Sequence, residues 1–277
     1  MIINSPNFIL KQIAESGQCF RMKRIGDDKY SLIAFGRYIE LMQINLNTVN
    51  ISCSDEDYEQ IWRDYFDLEY DYNAIVQKLL NGKDEFLREA AGYGSGLRIV
   101  RQDPFEALIS FIISQNKNIP AIMSSIDKLC ERFGELRICD NSKSGKGSVE
   151  FYDFPTPERL AKAAKEELKE TGIGYRDDYI IAAAKAVVSG RIDLQSLKKS
   201  SPSEAIAILK SMHGIGDKVA NCVSLYGLHH IDACPIDLWI ARVLNDVYNN
   251  NFDWNEYRGY QGIVQQYMFY YIRNKSV

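Results

Sequence analysis

The chain has 277 residues, of which 46% are hydrophobic and 25% are charged, which predicts a folded protein of two or three domains with hydrophobic cores. The net charge of -4 and the pI near 5.6 argue against a protein that coats nucleic acid through bulk positive charge, although local cations and helix N-termini can still hold phosphates. Neither a run of about 18 apolar residues nor a signal-peptide pattern occurs, so we expect a cytoplasmic protein that does not enter a membrane.

The residues that could form disulfides or bind zinc are six cysteines and three histidines. The cysteines are Cys19, Cys53, Cys130, Cys139, Cys222 and Cys234. They contain no CxxC pair and no zinc-ligand spacing with histidine. We therefore expect free thiols and a protein that needs neither a metal nor a cofactor.

Strand-forming residues dominate the segment 18–53, where apolar and polar residues partly alternate between polar turns. This pattern predicts an antiparallel sheet. After Asp55 the apolar residues recur at helical spacing almost to the end of the chain. The predicted helical stretches are 104–116, 119–134, 157–170, 177–189, 203–213, 218–228 and 238–248.

Several helix starts and one polar loop can be identified in this helical part. Thr156 and Ser201 each precede a proline, which is the pattern of an N-cap before the first helical residue. The polar segment 139–148 predicts an exposed loop. The expected fold class is α+β, in which a domain with an antiparallel sheet over residues 1–100 packs on a larger helical region over residues 101–277.

The most informative segment is a predicted helix-hairpin-helix at about 203–228. Its turn contains Gly214, Ile215 and Gly216, and a second helix begins near Asp217. The glycines permit positive φ and close approach of another molecule, Ile215 can plug between the helices, and the N–H groups of the second helix suit a DNA phosphate. An ordinary hairpin between two packed helices is the structural alternative.

Two ionisable residues could give this hairpin a chemical function. Lys218 lies in the first turn of the second helix, where the helix dipole disfavours a cation, so that more of the amine is neutral and nucleophilic. Asp237 precedes an apolar helix and could cap it. An amine and a carboxylate so placed could displace a base from the C1′ carbon of deoxyribose. A solvated surface lysine and a purely capping aspartate are the alternatives.

The motif GIGDKVA at 214–220, followed by Pro-Ile-Asp at 235–237, resembles the helix-hairpin-helix DNA glycosylase superfamily. The resemblance of Lys218 to the lysine of its bifunctional members implies base release through a Schiff base and strand cleavage by β-elimination. No cysteine follows Cys234, so the iron-sulfur cluster of endonuclease III relatives is not expected. The alkylpurine branch usually lacks the lysine.

A closer resemblance, to the 8-oxoguanine DNA glycosylases of the eukaryotic type, extends over nearly the whole chain. Residues 16–21 (SGQCFR), 101–119 (RQDPFEALISFIISQNKNI) and 172–176 (GIGYR) are similar to that family's motifs and occur in the same order. The resemblance implies a monomeric base excision repair enzyme that removes 8-oxoguanine from double-stranded DNA, preferentially opposite cytosine. The short chain fits a prokaryotic member that associates with the nucleoid when bound to DNA.

The resemblance also implies a role for each matching residue. Gly17 would accept, through its carbonyl, the N7–H that oxidation creates on guanine. Gln265 would bind the Watson-Crick edge, and Cys222 and Phe269 would cover the faces of the flipped base. The base pocket would consist of Gly17, Cys222, Pro235, Gln265 and Phe269. The residues that wedge into the stack and contact the opposite base would be Asn116, Tyr175 and Arg176. The phosphate-binding residues of the hairpin would be Gly214, Gly216, Val219 and Trp239.

The sequence departs from the family pattern at two positions. Ala121 stands where eukaryotic members have arginine, which predicts weaker discrimination for cytosine. Trp239 stands where they have histidine, and its indole N–H could still reach a phosphate.

Taken singly, each site residue also has a structural interpretation. Gly17 could be a turn glycine, Phe269 a core aromatic and Cys222 a buried helix residue, while Asn116 could end a helix and Tyr175 could lie on a plain surface. Two other functions remain open. They are a glycosylase of the same fold for alkylated purines or another damaged base, and a non-catalytic helix-hairpin-helix module that senses distorted DNA.

Overall fold

The computed structural model describes residues 1–139 and 147–275. The strands are β1 (Ile2–Asn4), β2 (Met22–Gly26), β3 (Lys29–Ala34), β4 (Arg37–Asn45), β5 (Thr48–Ile51), β6 (Leu136–Cys139) and β7 (Val149–Tyr152). The α-helices are α1 (Leu10–Glu15), α2 (Asp55–Asp57), α3 (Arg63–Tyr65), α4 (Tyr72–Leu80), α5 (Glu85–Tyr93), α6 (Pro104–Ile113), α7 (Ile119–Phe133), α8 (Pro157–Ala161), α9 (Lys165–Glu170), α10 (Asp177–Val188), α11 (Leu194–Leu197), α12 (Pro202–Lys210), α13 (Asp217–Cys222), α14 (Leu238–Asp246) and α15 (Gln261–Lys275).

The N-terminal sheet is antiparallel and has five strands in the order β1-β5-β4-β3-β2. Leu32 on β3 is opposite Met22 on β2 and Ile39 on β4, and because directly opposite residues share a face, all three side chains are buried together. This face packs against Phe8 and Trp62 in a small hydrophobic core. The predicted antiparallel sheet is confirmed.

Most of the predicted helical stretches are present. The stretches 104–116 and 119–134 correspond to α6 and α7, whose N-caps Asp103 and Asn118 accept hydrogen bonds from first-turn N–H groups. Ser201 caps α12 through its hydroxyl, as the sequence predicts. The stretch 218–228 contains α13 and a π-helical segment, Val223–Gly227, that continues it.

Other helical segments differ from the prediction. The stretch 157–170 is divided into α8 and α9, because the chain turns between them so that Leu160 and Leu168 both reach the core. Helix α15 is absent from the predicted stretches. Its residues from Gly262 to Met268 are all buried. The helix therefore lacks the polar, solvent-exposed face that gives an amphipathic helix its recognisable pattern of apolar residues.

A short antiparallel pair of strands, β6 and β7, interrupts the helical region and was not predicted. Phe151 of β7 lies against Tyr38 of β4, with ring centroids 6.1 Å apart, and the Cys139 thiol of β6 donates to the Tyr38 carbonyl at 3.8 Å. The pair therefore attaches to the N-terminal sheet. Within the predicted loop at 139–148, residues 140–146 lie outside the described residues.

A larger hydrophobic core fills the helical region, and α6 runs through it. Nine of the ten α6 residues are buried; the tenth, Glu106, has a side chain that is only 14% exposed and lies 3.8 Å from Arg21 beside the sheet. Helices α4 and α5 also contribute side chains to this larger core, although both fall within the predicted N-terminal domain, residues 1–100. The domain boundary near residue 100 stays a prediction.

In the described ranges, no helix combines the length and the apolar character needed to cross a membrane. The same residues contain no group of three or more His, Cys, Asp or Glu side chains that could hold a metal ion. The cysteines are free thiols.

The start of α6 carries a titratable group that should affect stability. Burial raises the pKa of Glu106 from 4.5 to about 7, although Arg21 opposes the shift. Between these two values the folded chain binds more protons than the unfolded chain, so stability must fall as pH rises. We expect the free energy of unfolding to fall by roughly 2–3 kcal/mol from about pH 5 to pH 7 through this group, and then to level off. Urea unfolding of the wild type and of Glu106→Gln between pH 5 and pH 7 measures this fall. If the free energy of unfolding changes equally with pH in both proteins, Glu106 is not the group responsible.

Candidate active site

A recess and an adjacent cleft lie where the hairpin, the segment before α14 and helix α15 meet. The recess has a volume of about 40 Å³ and is lined by Ser16, Gly17, Phe111, Lys218, Cys222, Tyr226, Pro235, Asp237, Gln265 and Phe269. The adjacent cleft has a volume of about 360 Å³ and shares with it Gly17, Phe111, Lys218, Asp237 and Phe269. The structure therefore brings all residues of the predicted base pocket together, with the candidate amine and carboxylate at the junction.

The amine of Lys218 is held by neutral groups. Helix α13 begins at Asp217 and so places Lys218 in its first turn, as predicted. The half-buried amine donates a hydrogen bond to the Ser114 hydroxyl at 3.2 Å and lies 5.5 Å from the centre of the Phe111 ring. It forms no ion pair with any carboxylate of residues 1–139 and 147–275. The amine can therefore react without first breaking a salt bridge.

The carboxylate of Asp237 caps α14. Its Oδ1 accepts hydrogen bonds from the N–H groups of Trp239 at 3.0 Å and Ile240 at 2.9 Å. Its Oδ2 accepts none from the part of the chain that the structure describes. The preceding segment is tied to α13, because the N–H of Cys234 donates to Asn221 Oδ1 at 3.2 Å. Capping therefore fixes one oxygen and leaves the other available beside the recess.

Gly17 forms the wall of the recess opposite the hairpin. Its φ of +73° favours glycine, and an added Cβ would lie 3.1 Å from the side chain of Ile119 and 3.5 Å from Phe269. The carbonyl of the preceding Ser16 accepts a hydrogen bond of 2.9 Å from Gln266 on α15. Gly17 is thus a turn residue and also a wall residue, anchored to the helix that carries Phe269.

The remaining walls combine one polar group with apolar ones. Gln265 is 3% exposed, and its Oε1 has no hydrogen-bond partner among the described residues; such an unpaired buried acceptor is costly and suits a ligand that donates. Burial raises the pKa of the Cys222 thiol, and Asp237 adds to the shift, which keeps the thiol neutral. Phe269 is half-buried, whereas the neighbouring Tyr270 is buried in the core.

The hairpin turn differs from the expectation at one glycine. Gly214 has φ +83°, and an added Cβ would lie 2.3 Å from the Tyr179 ring, so only glycine fits. Gly216 instead has φ −94° in an extended conformation with open space around its α-carbon, so it does not use positive φ and leaves room for close approach. Ile215 is buried, which confirms the predicted plug. Val219 has a buried side chain, so that only its backbone can face a phosphate.

Free donors lie at the start of the second hairpin helix. The first intrahelical bond runs from Ala220 N to Gly216 O at 3.0 Å, so the N–H groups of Asp217, Lys218 and Val219 have no acceptor in the helix. Trp239 lies across the adjacent cleft. Gly214, Gly216, Val219 and Trp239 remain the candidates for a phosphate site.

The three predicted wedge residues are close together but differ in exposure. Asn116, with φ +50°, donates to the Tyr175 hydroxyl at 3.1 Å, and Tyr175 is 52% exposed. Arg176 is only 4% exposed, its guanidinium lies 4.4 Å from the Tyr175 ring centre, and it donates to the carbonyls of Ile173 and Gln115. Tyr175 is therefore positioned to wedge, whereas Arg176 must leave these partners before it can touch a base.

Positive charge is concentrated around the cleft despite the acidic total. Lys117, Lys218 and Arg273 line it, and Arg242 lies 5.4 Å from the ring of Trp239. None of these four cations forms an ion pair within residues 1–139 and 147–275. Unpaired cations at one surface suit a polyanion, so the net charge does not argue against DNA here.

Comparison with known proteins identifies the family. Residues 1–108 match the model of the 8-oxoguanine DNA glycosylase N-terminal domain, and residues 109–258 match the HhH-GPD superfamily of base excision DNA repair proteins. The N-glycosylase/DNA lyase of Saccharomyces cerevisiae is 30% identical to this chain over 88% of it and 69% of the yeast protein. The chain belongs to the 8-oxoguanine DNA glycosylase family.

Solved structures of this family agree with the assignment. A structure of MBOgg1 in complex with a low-affinity DNA ligand is 36% identical, with a TM-score of 0.91 over 100% of this chain and 96% of that one. The 8-oxoguanine glycosylase/lyase of Clostridium acetobutylicum, in complex with double-stranded DNA containing cytosine opposite 8-oxoguanine, is 32% identical, with a TM-score of 0.88 over 100% of this chain and 99% of that one.

Several residues at the site were not singled out from the sequence. Ser114 and Phe111 contact the Lys218 amine. Both lie inside the segment 101–119 that resembles a family motif, so the sequence could have indicated them. Tyr226 and Arg273 line the recess and the cleft, respectively, but no sequence pattern marked them. Tertiary contacts alone bring these two residues to the site.

Proposed function

We propose that this member of the 8-oxoguanine DNA glycosylase family excises 8-oxoguanine from double-stranded DNA and then cleaves the abasic strand, with Lys218 as nucleophile and Asp237 as its carboxylate partner. One observation carries the proposal. The amine and the carboxylate lie at the mouth of a single recess whose walls include Gly17, Gln265 and Phe269. A base in the recess would present its glycosidic bond to both groups.

Recognition of the oxidised base would depend on donors that normal guanine lacks. The Gly17 carbonyl accepts no hydrogen bond from residues 1–139 and 147–275, so it is available to the N7–H of 8-oxoguanine, whereas the N7 lone pair of guanine would repel it. The unpaired Oε1 of Gln265 would accept a hydrogen bond from the Watson-Crick edge. Cys222 and Phe269 would cover the two faces of the base.

Catalysis would use the two groups in sequence. The Lys218 amine bonds to C1′ while the bond from C1′ to the base breaks, and the bonding electrons leave with the base. The free oxygen of Asp237 stabilises positive charge on the sugar and assists removal of the amine proton. Ring opening then gives a Schiff base. Loss of a C2′ proton expels the 3′-phosphate, and hydrolysis frees Lys218. Because burial keeps the Cys222 thiol neutral, it does not compete as a nucleophile.

Borohydride trapping tests this proposal. The reagent reduces a Schiff base to a stable covalent adduct, so wild-type protein should be trapped on a duplex with 8-oxoguanine opposite cytosine and not on the undamaged duplex. A duplex with an alkylated purine tests the alternative substrate. Tight binding to lesion DNA without any adduct would instead support a non-catalytic binding module.

The opposite base should be read weakly. Ala121 lies in the first turn of α7, where its N–H is bound to Asn118 at 2.9 Å, and its methyl group cannot donate to a base. We expect Ala121→Arg to raise the ratio of excision rates opposite cytosine and opposite adenine by roughly tenfold, as one added base contact would. Single-turnover rates with all four opposite bases measure it. Ala74→Arg, on an exposed face of α4, controls for the added positive charge. An equal change of the rate ratio in both variants would contradict a role of position 121 in reading the opposite base.

The finer assignments belong to the same proposal. The proposed enzyme acts as a monomer, because a single chain carries the candidate amine, the carboxylate and the predicted base-pocket residues in one recess. The proposed enzyme acts in the cytoplasm of a prokaryotic cell, on the nucleoid, and preferentially opposite cytosine. Asn116, Tyr175 and Arg176 would fill the vacated space and contact the orphaned base, and Gly214, Gly216, Val219 and Trp239 would contact phosphates.

A further inference from the structure

Consecutive residues after α6 connect three parts of the site. Ser114 accepts a hydrogen bond from the catalytic candidate Lys218 at 3.2 Å. The next residue, Gln115, donates through Nε2 to the carbonyl of Gly214 in the hairpin turn at 3.2 Å. The same nitrogen donates to Ile112 O at 3.2 Å, so the side chain bridges the end of α6 and the hairpin. A single segment therefore contacts both the amine and the turn that precedes it.

The same segment is also attached to the loop 172–176, which carries Tyr175. The Gln115 carbonyl accepts a hydrogen bond from Arg176, and Asn116 donates to the Tyr175 hydroxyl at 3.1 Å. Lys117 donates to the carbonyl of Gly172 at 2.5 Å and to Ser125 at 2.6 Å. Three neighbouring residues thus each hold the loop 172–176, the wedge loop, at a different point.

Gln115 is the residue at which these contacts meet, because its side chain reaches the hairpin and its backbone reaches the wedge loop. We propose that Gln115 is a positioning residue that couples the wedge loop to the hairpin turn, so that insertion of Tyr175 into the base stack and presentation of the Lys218 amine occur together. This inference rests on the proposed function. It assigns to Gln115 no contact with the reacting atoms.

Because Gln115 touches the hairpin turn and the wedge loop but not the amine itself, the proposal predicts slower base extrusion and an intact reaction of Lys218 with a sugar that needs no extrusion. Gln115→Met keeps the side-chain length and removes both N–H donors. Of the two hydrogen bonds lost, only the one to Gly214 joins the end of α6 to the hairpin, so we expect single-turnover release of 8-oxoguanine from duplex DNA to slow by about tenfold. Cleavage of a preformed abasic site should change by less than about threefold, since that sugar carries no base to extrude. Fluorescence of 2-aminopurine beside the lesion, which rises when stacking is broken, should increase more slowly.

The controls separate this role from a purely structural one. Gln77→Met makes the same change on an exposed face of α4 and should leave all three readouts unchanged. Gln115→Asn keeps the amide but is one methylene too short to reach Gly214, and should behave like Gln115→Met. A double-mutant cycle with Tyr175→Phe should show non-additive losses, because the two residues act through one linked unit.

The outcomes distinguish this inference from the proposed function. Absence of a borohydride adduct with wild-type protein overturns the proposed function itself. Trapping of the wild type together with unchanged base release in both Gln115 variants overturns the coupling role alone. Equal losses in base release and in abasic-site cleavage, accompanied by a lower Tm, also overturn it, because they indicate general destabilisation. Selective loss of base release with slower unstacking supports it.

Discussion

Replacing Lys218 with glutamine is expected to abolish both base release and strand cleavage, with a loss of at least about 10³-fold in single-turnover rate. Glutamine is polar and only one atom shorter than lysine, but its amide nitrogen has no basic lone pair. No Schiff base can then form. The measurement is release of 8-oxoguanine from duplex DNA together with covalent trapping by borohydride.

Lys199→Gln is the matched control for this variant. Lys199 is exposed just after α11, so the same loss of an amine and of one charge occurs away from the cleft. The control should keep full activity and trapping, and both variants should still bind lesion DNA. A trapped adduct at wild-type level with Lys218→Gln would assign the nucleophile to another amine.

Replacing Asp237 with asparagine should lower the rate of base release by roughly 10²–10³-fold while lesion binding is retained. Asparagine can accept the same N–H groups from Trp239 and Ile240 and is an equally good N-cap, so helix α14 should form normally. The variant lacks the negative charge that stabilises the cationic sugar and assists deprotonation of Lys218. Single-turnover kinetics and a lesion-binding titration separate these two effects.

Asp193→Asn controls for helix capping. Asp193 caps α11 with one carboxylate oxygen, which accepts from the N–H groups of Gln195 and Ser196 as Asp237 does on α14, and its other oxygen accepts from the Ser196 hydroxyl. Thermal unfolding should be nearly unchanged in both variants, and only Asp237→Asn should lose activity. If Asp237→Asn keeps full activity, Asp237 only caps α14 and has no role in catalysis.

Local patterns were sufficient to predict much of the fold. Alternation over residues 18–53 predicted the antiparallel sheet, because burial of one face requires a period of two. The N-caps at Thr156 and Ser201 were predicted correctly, since a cap depends only on the next few residues. The turn at Gly214 was likewise predicted from the sequence, although Gly216 does not adopt a positive φ.

The residues of the predicted base pocket, which line one recess in the structure, could be grouped from the sequence only because separated motifs resembled one family. Taken singly, Gly17, Phe269 and Cys222 each had a credible structural role. The structure shows that these roles are real for Gly17, a turn residue, and for Cys222, a buried one, and that both nevertheless line the recess. Residue type and spacing cannot show that one residue has a structural role and also lines the recess.

The sequence by itself determined the antiparallel sheet, the hairpin, and the placement of an amine and an acid at two helix starts, because each depends on neighbours within a few positions. Only the tertiary structure decided that these two groups share one recess, that Arg176 is buried under Tyr175, and that β6 and β7 attach to the sheet. The physical reason is distance along the chain. The contact between Ser114 and Lys218 spans 104 positions, and packing of the intervening helices, rather than any local preference, brings the two together.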